Sequence, residues 1–245
     1  MLVAICGAST VWATHFLSML AYQLSVPVTY DHGLTAASFL AGVLVMAMGL
    51  RVVLRKPRDA RFALVGGAVV GLGASVLHYI GMAALQFPGQ LRWDLDLVAA
   101  SLLFSSGFGA AGVYFTSYSR HRYARAFAAV LFIAMVLLLH FTAMGAVRLE
   151  LVPIDRDVTT GISRYMLVIG VIIAALTVLL IGMVSAIVHQ KVTRRLADAE
   201  RFRTLADGAL EALVVHRNGI VIDANAAARR MFSMPAAGDG QSTRD

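Results

Sequence analysis

The stretch Leu77-His78-Tyr79-Ile80-Gly81-Met82 occurs in three related forms along this chain of 245 residues. One form lies 63 residues earlier, as Thr14-His15-Phe16-Leu17-Ser18-Met19, and another lies 62 residues later, as Leu139-His140-Phe141-Thr142-Ala143-Met144. Each form has a histidine, then an aromatic residue, and a methionine four positions after the histidine. Such an even spacing is typical of an internal repeat.

Chance is a poor explanation for the pattern. With 7 His and 11 Met in the chain, three histidines with a methionine four positions on would occur in roughly 0.3 % of shuffled sequences. The other histidines lack this methionine, and they are His32, His121, His189 and His216. The pattern therefore marks three equivalent positions.

The composition excludes an ordinary soluble domain, because hydrophobic residues make up 59 % of the chain and the mean hydropathy is +0.75. Six apolar runs are each long enough to cross a hydrocarbon layer about 30 Å thick. They cover about residues 2–24, 34–54, 62–85, 97–118, 126–147 and 165–188. The first run is interpreted as a retained span and not a signal peptide. The sequence therefore predicts an all-α membrane protein, a bundle of six helices formed from three two-helix repeats.

The formal charge of +7 is unevenly distributed along the chain. Basic residues cluster after the second, fourth and sixth spans, as Arg51, Arg55, Lys56, Arg58 and Arg61, then Arg120, Arg122 and Arg125, then Lys191, Arg194 and Arg195. This alternation is the positive-inside pattern of membrane proteins, and it argues against a nucleic-acid surface. It predicts that both termini lie in the cytoplasm.

The first, third and fifth spans run in the same direction, so the three motifs are expected at one depth. The histidines lie roughly seven to nine residues before the outer ends of their spans, or about 10–14 Å along a helix. The methionines lie one turn nearer the outer face. The candidate metal ligands are His15, Met19, His78, Met82, His140 and Met144.

Positions i and i+4 share one face of a helix, so each motif presents an imidazole beside a thioether. Three such pairs could converge on a metal, and this ligand set suits copper, especially Cu(I). Two alternatives stay open. The histidines could hold a non-covalent haem b as axial ligands, or they could form hydrogen bonds between helices while the methionines fill gaps.

No pair of nucleophile and base, no phosphate-binding loop and no set of catalytic carboxylates is found, so these residues predict no enzyme active site. A membrane sensor is the favoured function. Transport or electron transfer across the membrane is the second hypothesis, and it would require a path with polar residues at the bilayer midplane. The third is a structural anchor for a cytoplasmic domain.

The motifs, together with Trp12-Ala13-Thr14-His15-Phe16 and Tyr30-Asp31, resemble the MHYT domain, a bacterial integral-membrane sensor named for a Met-His-Tyr-Thr motif. The resemblance covers roughly residues 1–190. It implies a copper site near the outer face of the bacterial inner membrane that senses O2, CO or NO. It also implies signalling to cytoplasmic output domains such as cyclic-di-GMP enzymes or a histidine kinase. The family is described with seven spans, and the additional one would precede Met1.

The composition changes after the spans. Residues 191–209 are predicted to form a signalling helix, which favours a homodimer, and Asn218-Gly219 predicts a hairpin turn before a helix at 224–232. Residues 210–245 resemble the opening of a PAS domain and are too few to complete its ligand pocket. The resemblance to a PAS domain rests on the segments Arg201-Phe202-Arg203, Leu213-Val214-Val215 and Asp223-Ala224-Asn225-Ala226-Ala227. We therefore expect a fragment of a longer receptor.

Overall fold

A computed structural model describes residues 1–21, 28–57, 59–118, 123–151, 161–217 and 220–233. Several residues used in the sequence predictions lie outside these ranges, namely Arg58, Arg120, His121, Arg122, Asn218 and Gly219. The described chain divides into two compact units, residues 1–181 and residues 182–245. Each unit is described separately below.

Within the described ranges, six helices are long and apolar enough to cross a membrane, which confirms the predicted spans. They are α1 (Leu2–Ala21), α2 (His32–Arg55), α3 (Ala60–Ala83), α4 (Leu95–Tyr118), α5 (Ala124–Gly145) and α6 (Arg164–Gly208). The sequence predicted a separate linker helix after residue 190, whereas α6 is one helix of 45 residues. The first unit contains the first five helices and α6 as far as Ile181.

The central helix of the first unit is α3, which packs against α1, α2, α4 and α5. Small residues allow this packing. A Cβ atom at Gly67 would lie 2.6 Å from the carbonyl oxygen of Gly109, and one at Gly71 would overlap the carbonyl of Ser105. In a membrane, lipid tails are as apolar as leucine, so close backbone approach of this kind drives helix association.

Two hydroxyl pairs extend the same contact between α3 and α4. Ser75 Oγ lies 2.6 Å from Ser105 Oγ, and the Tyr79 hydroxyl lies 2.6 Å from Ser101 Oγ. Sequence reasoning missed these pairs. The sequence did contain a pattern that could have predicted this contact, because small or polar residues recur every four positions on both helices. They are Gly67, Gly71, Ser75 and Tyr79 on α3, and Ser101, Ser105 and Gly109 on α4.

Four short strands lie at one end of the first unit, where the sequence predicted only turns and loops. They are β1 (Thr29–Tyr30), β2 (Leu85–Gln86), β3 (Gly89–Trp93) and β4 (Val147–Leu151). The strands pair antiparallel as β1 with β2 and β3 with β4, and Tyr30 forms an antiparallel bridge with Ile162. The described parts of the three connecting segments are therefore each paired with the other two. We call this end the strand end, and the opposite end, which carries the arginine-rich segments, the basic end.

Aspartates at the starts of α2 and α4 join the strand end to the histidine helices. The Asp31 side chain accepts a hydrogen bond from the Leu34 amide, and its own amide donates to Ala84 O at 2.8 Å. Asp94 likewise accepts from the Asp96 amide and donates to Ala146 O at 2.9 Å. N-caps of this type commonly contribute about 1 kcal/mol each. Here they also fix the ends of α3 and α5.

Two apolar clusters fill the first unit. The inner cluster includes Val11, Leu77 and Leu139, and the strand-end cluster includes Phe16 and Met82. Along each of α1, α3 and α5, the motif histidine stands between residues of the two clusters. The fold thus encloses a layer of histidine between two apolar layers.

The second unit contains the remainder of α6, a hairpin of β5 (Val214–Arg217) and β6 (Ile220–Ala224), and α7 (Ala226–Met231). The antiparallel pairing agrees with the predicted hairpin. Asn225 organises the unit: its Oδ1 accepts from the Leu213 and Ala228 amides, and its Nδ2 donates to Ala206 O and Glu211 O. This buried amide therefore joins the end of α6, β5 and α7.

Candidate metal centre

The three motif histidines occupy equivalent places on three helices. His78 and His140 lie five residues before the last residues of α3 and α5, and His15 lies six before that of α1. For His78 and His140, a separation of five residues replaces the predicted seven to nine, because α3 and α5 end earlier than their apolar runs do. At 1.5 Å per residue the histidines lie about 8 Å from the helix ends. The three histidines thus lie at about the same distance from the last residues of their helices, while their depth in a bilayer stays a prediction.

The structure brings the three imidazoles together in the first unit. Ring centroids are 4.7 Å apart for His15 and His78, 5.4 Å for His78 and His140, and 5.8 Å for His15 and His140. One nitrogen from each ring lies within 4.8 Å of the others. The residues are only 2 %, 1 % and 7 % exposed in chain order.

Several of these ring nitrogens have no hydrogen-bond partner among the described residues. They are both nitrogens of His15, Nε2 of His78 and Nδ1 of His140. A buried polar atom without a partner is costly, and most buried side-chain polar atoms in proteins are paired. Three converging imidazole nitrogens form a donor set that copper or zinc can satisfy. The residues present therefore fit a bound metal ion.

In the part of the chain that the structure describes, these histidines are the one group of three or more His, Cys, Asp or Glu side chains that could share a metal ion. The free thiol of Cys6 is not a member of that group. The described chain thus offers one candidate metal centre, formed by the three motif histidines.

The three motif methionines lie together in the strand-end cluster. Met19 and Met82 are buried there, and Met144 packs against the same cluster. Each stands one helical turn beyond its histidine, toward the strand end, as the i+4 spacing predicted. The structure thus brings the three methionines into one cluster, while ligation of a metal by their sulfur atoms stays a prediction.

The aromatic residues of the motifs have three different surroundings. Phe16 is fully buried in the strand-end cluster, Tyr79 bonds to Ser101, and Phe141 is 69 % exposed. Each ring nevertheless contacts the histidine before it, at centroid distances of 4.7, 5.3 and 5.5 Å. Only Phe16 and Tyr79 therefore pack inside the first unit beside a motif histidine.

Gly81 is a site residue that sequence reasoning missed. A Cβ atom at this position would lie 2.7 Å from Nε2 of His15 and 3.0 Å from its Cδ2. Any side chain on α3 at this position would therefore displace the His15 ring of α1. The sequence feature that could have identified Gly81 is its position in the repeated stretch, three residues after His78.

We expect Gly81→Ala to weaken metal binding by roughly tenfold, because the added methyl group forces His15 away from the other imidazoles and small misplacement of ligands has effects of this order. Metal content of the purified variant, measured by mass spectrometry against protein concentration, tests this. Gly145→Ala is the matched control, because no atom lies within 4 Å of a Cβ there. Equal metal content in the two variants would contradict the role given to Gly81.

Comparison with protein families gives two matches to one model, described as a bacterial signalling protein N-terminal repeat and named MHYT, at residues 9–67 and 71–129. This chain carries MHYT repeats. The matched segments contain His15 and His78, and His140 follows in the third form of the motif. The MHYT repeat is a signalling module, which agrees with the resemblance derived from the motifs.

Three proteins with sequences related to this chain are longer than it is. An uncharacterized signaling protein of Caulobacter vibrioides is 31 % identical over 97 % of this chain and 29 % of its own length. In Pseudomonas aeruginosa, the cyclic di-GMP phosphodiesterase NbdA is 27 % identical over 82 % of the chain and 27 % of its own length. The bifunctional diguanylate cyclase/cyclic di-GMP phosphodiesterase MucR is 27 % identical over 85 % and 31 %. The chain thus spans less than a third of these relatives, and no solved structure matches it.

Proposed function

We propose that this chain is the membrane-sensing part of a bacterial receptor, with one copper ion held by His15, His78 and His140. The observation that supports the proposal is the convergence of three buried imidazoles, one from each repeat, whose nitrogens lie within 4.8 Å of one another. Met19, Met82 and Met144 are proposed as additional ligands from the adjacent layer. Copper, when bound, supplies a centre that can take a diatomic gas or change oxidation state.

The residues around the three histidines make the proposed site suitable for a metal ion and connect it to the neighbouring helices. The apolar clusters on either side of the three imidazoles contribute no charged group that would compete for their unpaired nitrogens. The caps at Asp31 and Asp94 fix the ends of α2 and α4 against α3 and α5. A change in the spacing of the histidines would therefore be passed to the packing of these helices.

Copper is favoured over haem by the closeness of the rings. Centroid distances of 4.7 to 5.8 Å suit a small ion, whereas a porphyrin needs lateral space for its macrocycle between the helices. A transport function receives less support, because the described residues contain no second ligand group toward the basic end. A sensor needs only the single centre and two packing states with different ligand affinity.

The proposed orientation places the strand end outside the bacterial inner membrane and the basic end in the cytoplasm, following the positive-inside rule. The C-terminal unit is then cytoplasmic. We propose that it begins a PAS-like domain and leads to an output domain in the same polypeptide, of the cyclic-di-GMP class that the names of two relatives indicate. Exposed apolar residues of α6 such as Leu196 and Phe202 are the proposed contacts of a homodimer.

The test is to purify the chain in detergent and measure its metals by mass spectrometry together with its visible spectrum. About one copper per chain without a Soret band, followed by a spectral response to O2, CO or NO, is the expected result. A Soret band would show that the histidines bind haem b and not copper. If the chain shows neither bound copper nor a Soret band after incubation with copper under reducing conditions, the proposal is refuted. The histidines would then have only a packing role.

A further inference from the structure

A cavity of about 360 Å³ lies at the basic end of the first unit, and each of the first five helices contributes to its lining. This volume falls within the range of small-molecule sites, about 300–1,000 Å³. Its walls include Leu50, Val70, Phe108 and Phe132, half-buried side chains that pack against the inner cluster. The described lining contains none of the three motif histidines. We call this space the basic-end cavity.

Small residues leave this space between α4 and α5. At Gly67 and Gly71 a Cβ atom would meet the backbone of α4, so those glycines allow two helices to pack closely. At Gly112 the atom nearest to such a Cβ is the carbonyl oxygen of Ala128, at 3.7 Å, which is an ordinary contact. Gly112 and Ala128 both line the cavity. The absence of a side chain at Gly112 therefore makes room between the helices and is not needed for their contact.

The exposed residues of the lining differ in chemistry from its walls. Thr116, Ser117 and Arg125 supply two hydroxyls and a guanidinium at the mouth of the cavity. Arg125 is the one charged residue of the described lining, and it has no carboxylate partner in the part of the chain that the structure describes. A guanidinium binds phosphate oxygens with two parallel hydrogen bonds. An apolar interior with a cationic mouth suits an amphiphile that has an apolar tail and an anionic head.

The charge around the mouth favours an anionic head over a zwitterionic one. The described cations at the basic end of the first unit are Arg51, Arg55, Lys56, Arg61 and Arg125. Asp59 is the single described carboxylate at that end, and it already accepts a hydrogen bond from the Arg61 amide at 2.9 Å. A zwitterionic head would bring its own ammonium group among these cations, and like charges repel. Basic pockets between membrane helices are typical binding sites for the head groups of anionic lipids.

We infer that the basic-end cavity binds an anionic glycerophospholipid, with one acyl chain between the helices and the phosphate on Arg125. The acyl chain would lie against Phe108 and Phe132, and the head group would stay at the mouth. There the Ser117 hydroxyl can donate to a second phosphate oxygen. The phosphodiester of such a lipid keeps its negative charge, so it supplies the counter-ion that Arg125 lacks among the described residues.

Lipid in this cavity would act on the packing beside the histidine layer. Phe132 packs against the inner cluster, and that cluster includes Leu139, the residue before His140. An acyl chain against Phe132 would therefore stabilise the inner cluster, and the lipid composition of the leaflet at the basic end would influence the bundle. This inference goes beyond the proposed metal function and does not depend on it, because no proposed metal ligand belongs to the described lining.

The test counts lipid molecules bound to the purified chain by native mass spectrometry, during titration with phosphatidylglycerol or phosphatidylethanolamine in detergent. We expect one phosphatidylglycerol per chain to bind saturably and in preference to phosphatidylethanolamine. Arg125→Gln should weaken this binding about tenfold, the loss of a charge-assisted contact. Arg61→Gln is the matched control, because it removes the same charge from the same end but lies outside the described lining. It should leave the binding unchanged.

A second pair of variants tests the place of the acyl chain. Ala129→Phe puts a large side chain into the lining and should reduce phosphatidylglycerol binding. Ala126→Phe adds the same side chain to the same helix, outside the described lining, and should not reduce it. Both alanines are exposed, so neither change is expected to prevent folding. Phosphatidylglycerol should also raise the detergent fraction at which the wild type unfolds, and less so in Arg125→Gln, because a ligand of the folded state stabilises it.

Three results would overturn the inference. They are equal binding of the two phospholipids, equal loss in the two arginine variants, and equal loss in the two alanine variants. Displacement of phosphatidylglycerol by palmitate, dependent on Arg125, would assign the cavity to a free fatty acid and also overturn it. The double variant His15→Ala with His140→Ala should still bind phosphatidylglycerol, so this result is separable from the metal result.

Discussion

A chain in which His15 and His140 are both replaced by alanine is expected to lose the copper ion proposed for the three-histidine site. Two of three converging imidazoles would be gone, and the remaining His78 cannot hold the ion alone. Because changes beside a metal ligand already reduce affinity by about 10–100-fold, removal of two ligands should lower metal content at least about tenfold. The measurement is metal per chain by mass spectrometry, after copper loading and desalting.

Two controls accompany this variant. The pair His189→Ala and His216→Ala removes the same number of imidazoles from exposed positions that lack the methionine, and it should retain full metal content. His15→Gln with His140→Gln keeps polar side chains of similar size in the buried layer, which limits the effect of a cavity. Copper bound at the wild-type level in either site variant would exclude the three-histidine centre.

The second large effect is expected on stability, from Gly71→Leu. A side chain at this position would occupy the space of the Ser105 backbone, so α3 and α4 would have to separate. Overpacking in a dense interior costs about 1–3 kcal/mol, and here backbone and not a flexible side chain blocks the way. Separation would also break the contact between Ser75 and Ser105. We therefore expect loss of the folded, monodisperse protein in detergent.

The matched control is Gly107→Leu, which places the same residue on α4 where a Cβ meets no atom within 4 Å. Helical content during titration with sodium dodecyl sulfate gives the relative stability of the variants. Gly71→Ala should be intermediate between the wild type and Gly71→Leu. If Gly71→Leu unfolds at the same detergent fraction as Gly107→Leu, close packing of α3 on α4 does not hold the bundle together.

The order of the helices was readable from the sequence because hydropathy is a local property. Each span is an apolar run, and the length of a run fixes the number of helices that can cross a bilayer. The even spacing of His15, His78 and His140 on alternate spans also fixed their common depth. For the same reason the predicted ends of the helices were less accurate, since the apolar runs extend beyond the helices to strand residues such as Leu85 and Val147.

The contacts between helices needed the tertiary structure. Nothing in the apolar runs says that α3 lies at the centre or that Gly81 abuts His15, because lipid and protein interior are equally apolar and small residues decide the neighbours. The two-residue strands β1 and β2 were likewise invisible, since pairing across more than 50 residues leaves no local pattern.

The sequence by itself therefore determined six spans and three equivalent histidine motifs, which resemble those of the MHYT domain. Only the tertiary structure decided that these imidazoles meet within 4.8 Å and that Gly81 lies against the His15 ring. The physical reason is that depth follows from position along one helix, whereas a binding site depends on which helices are neighbours. That choice rests on contacts between residues far apart in the chain.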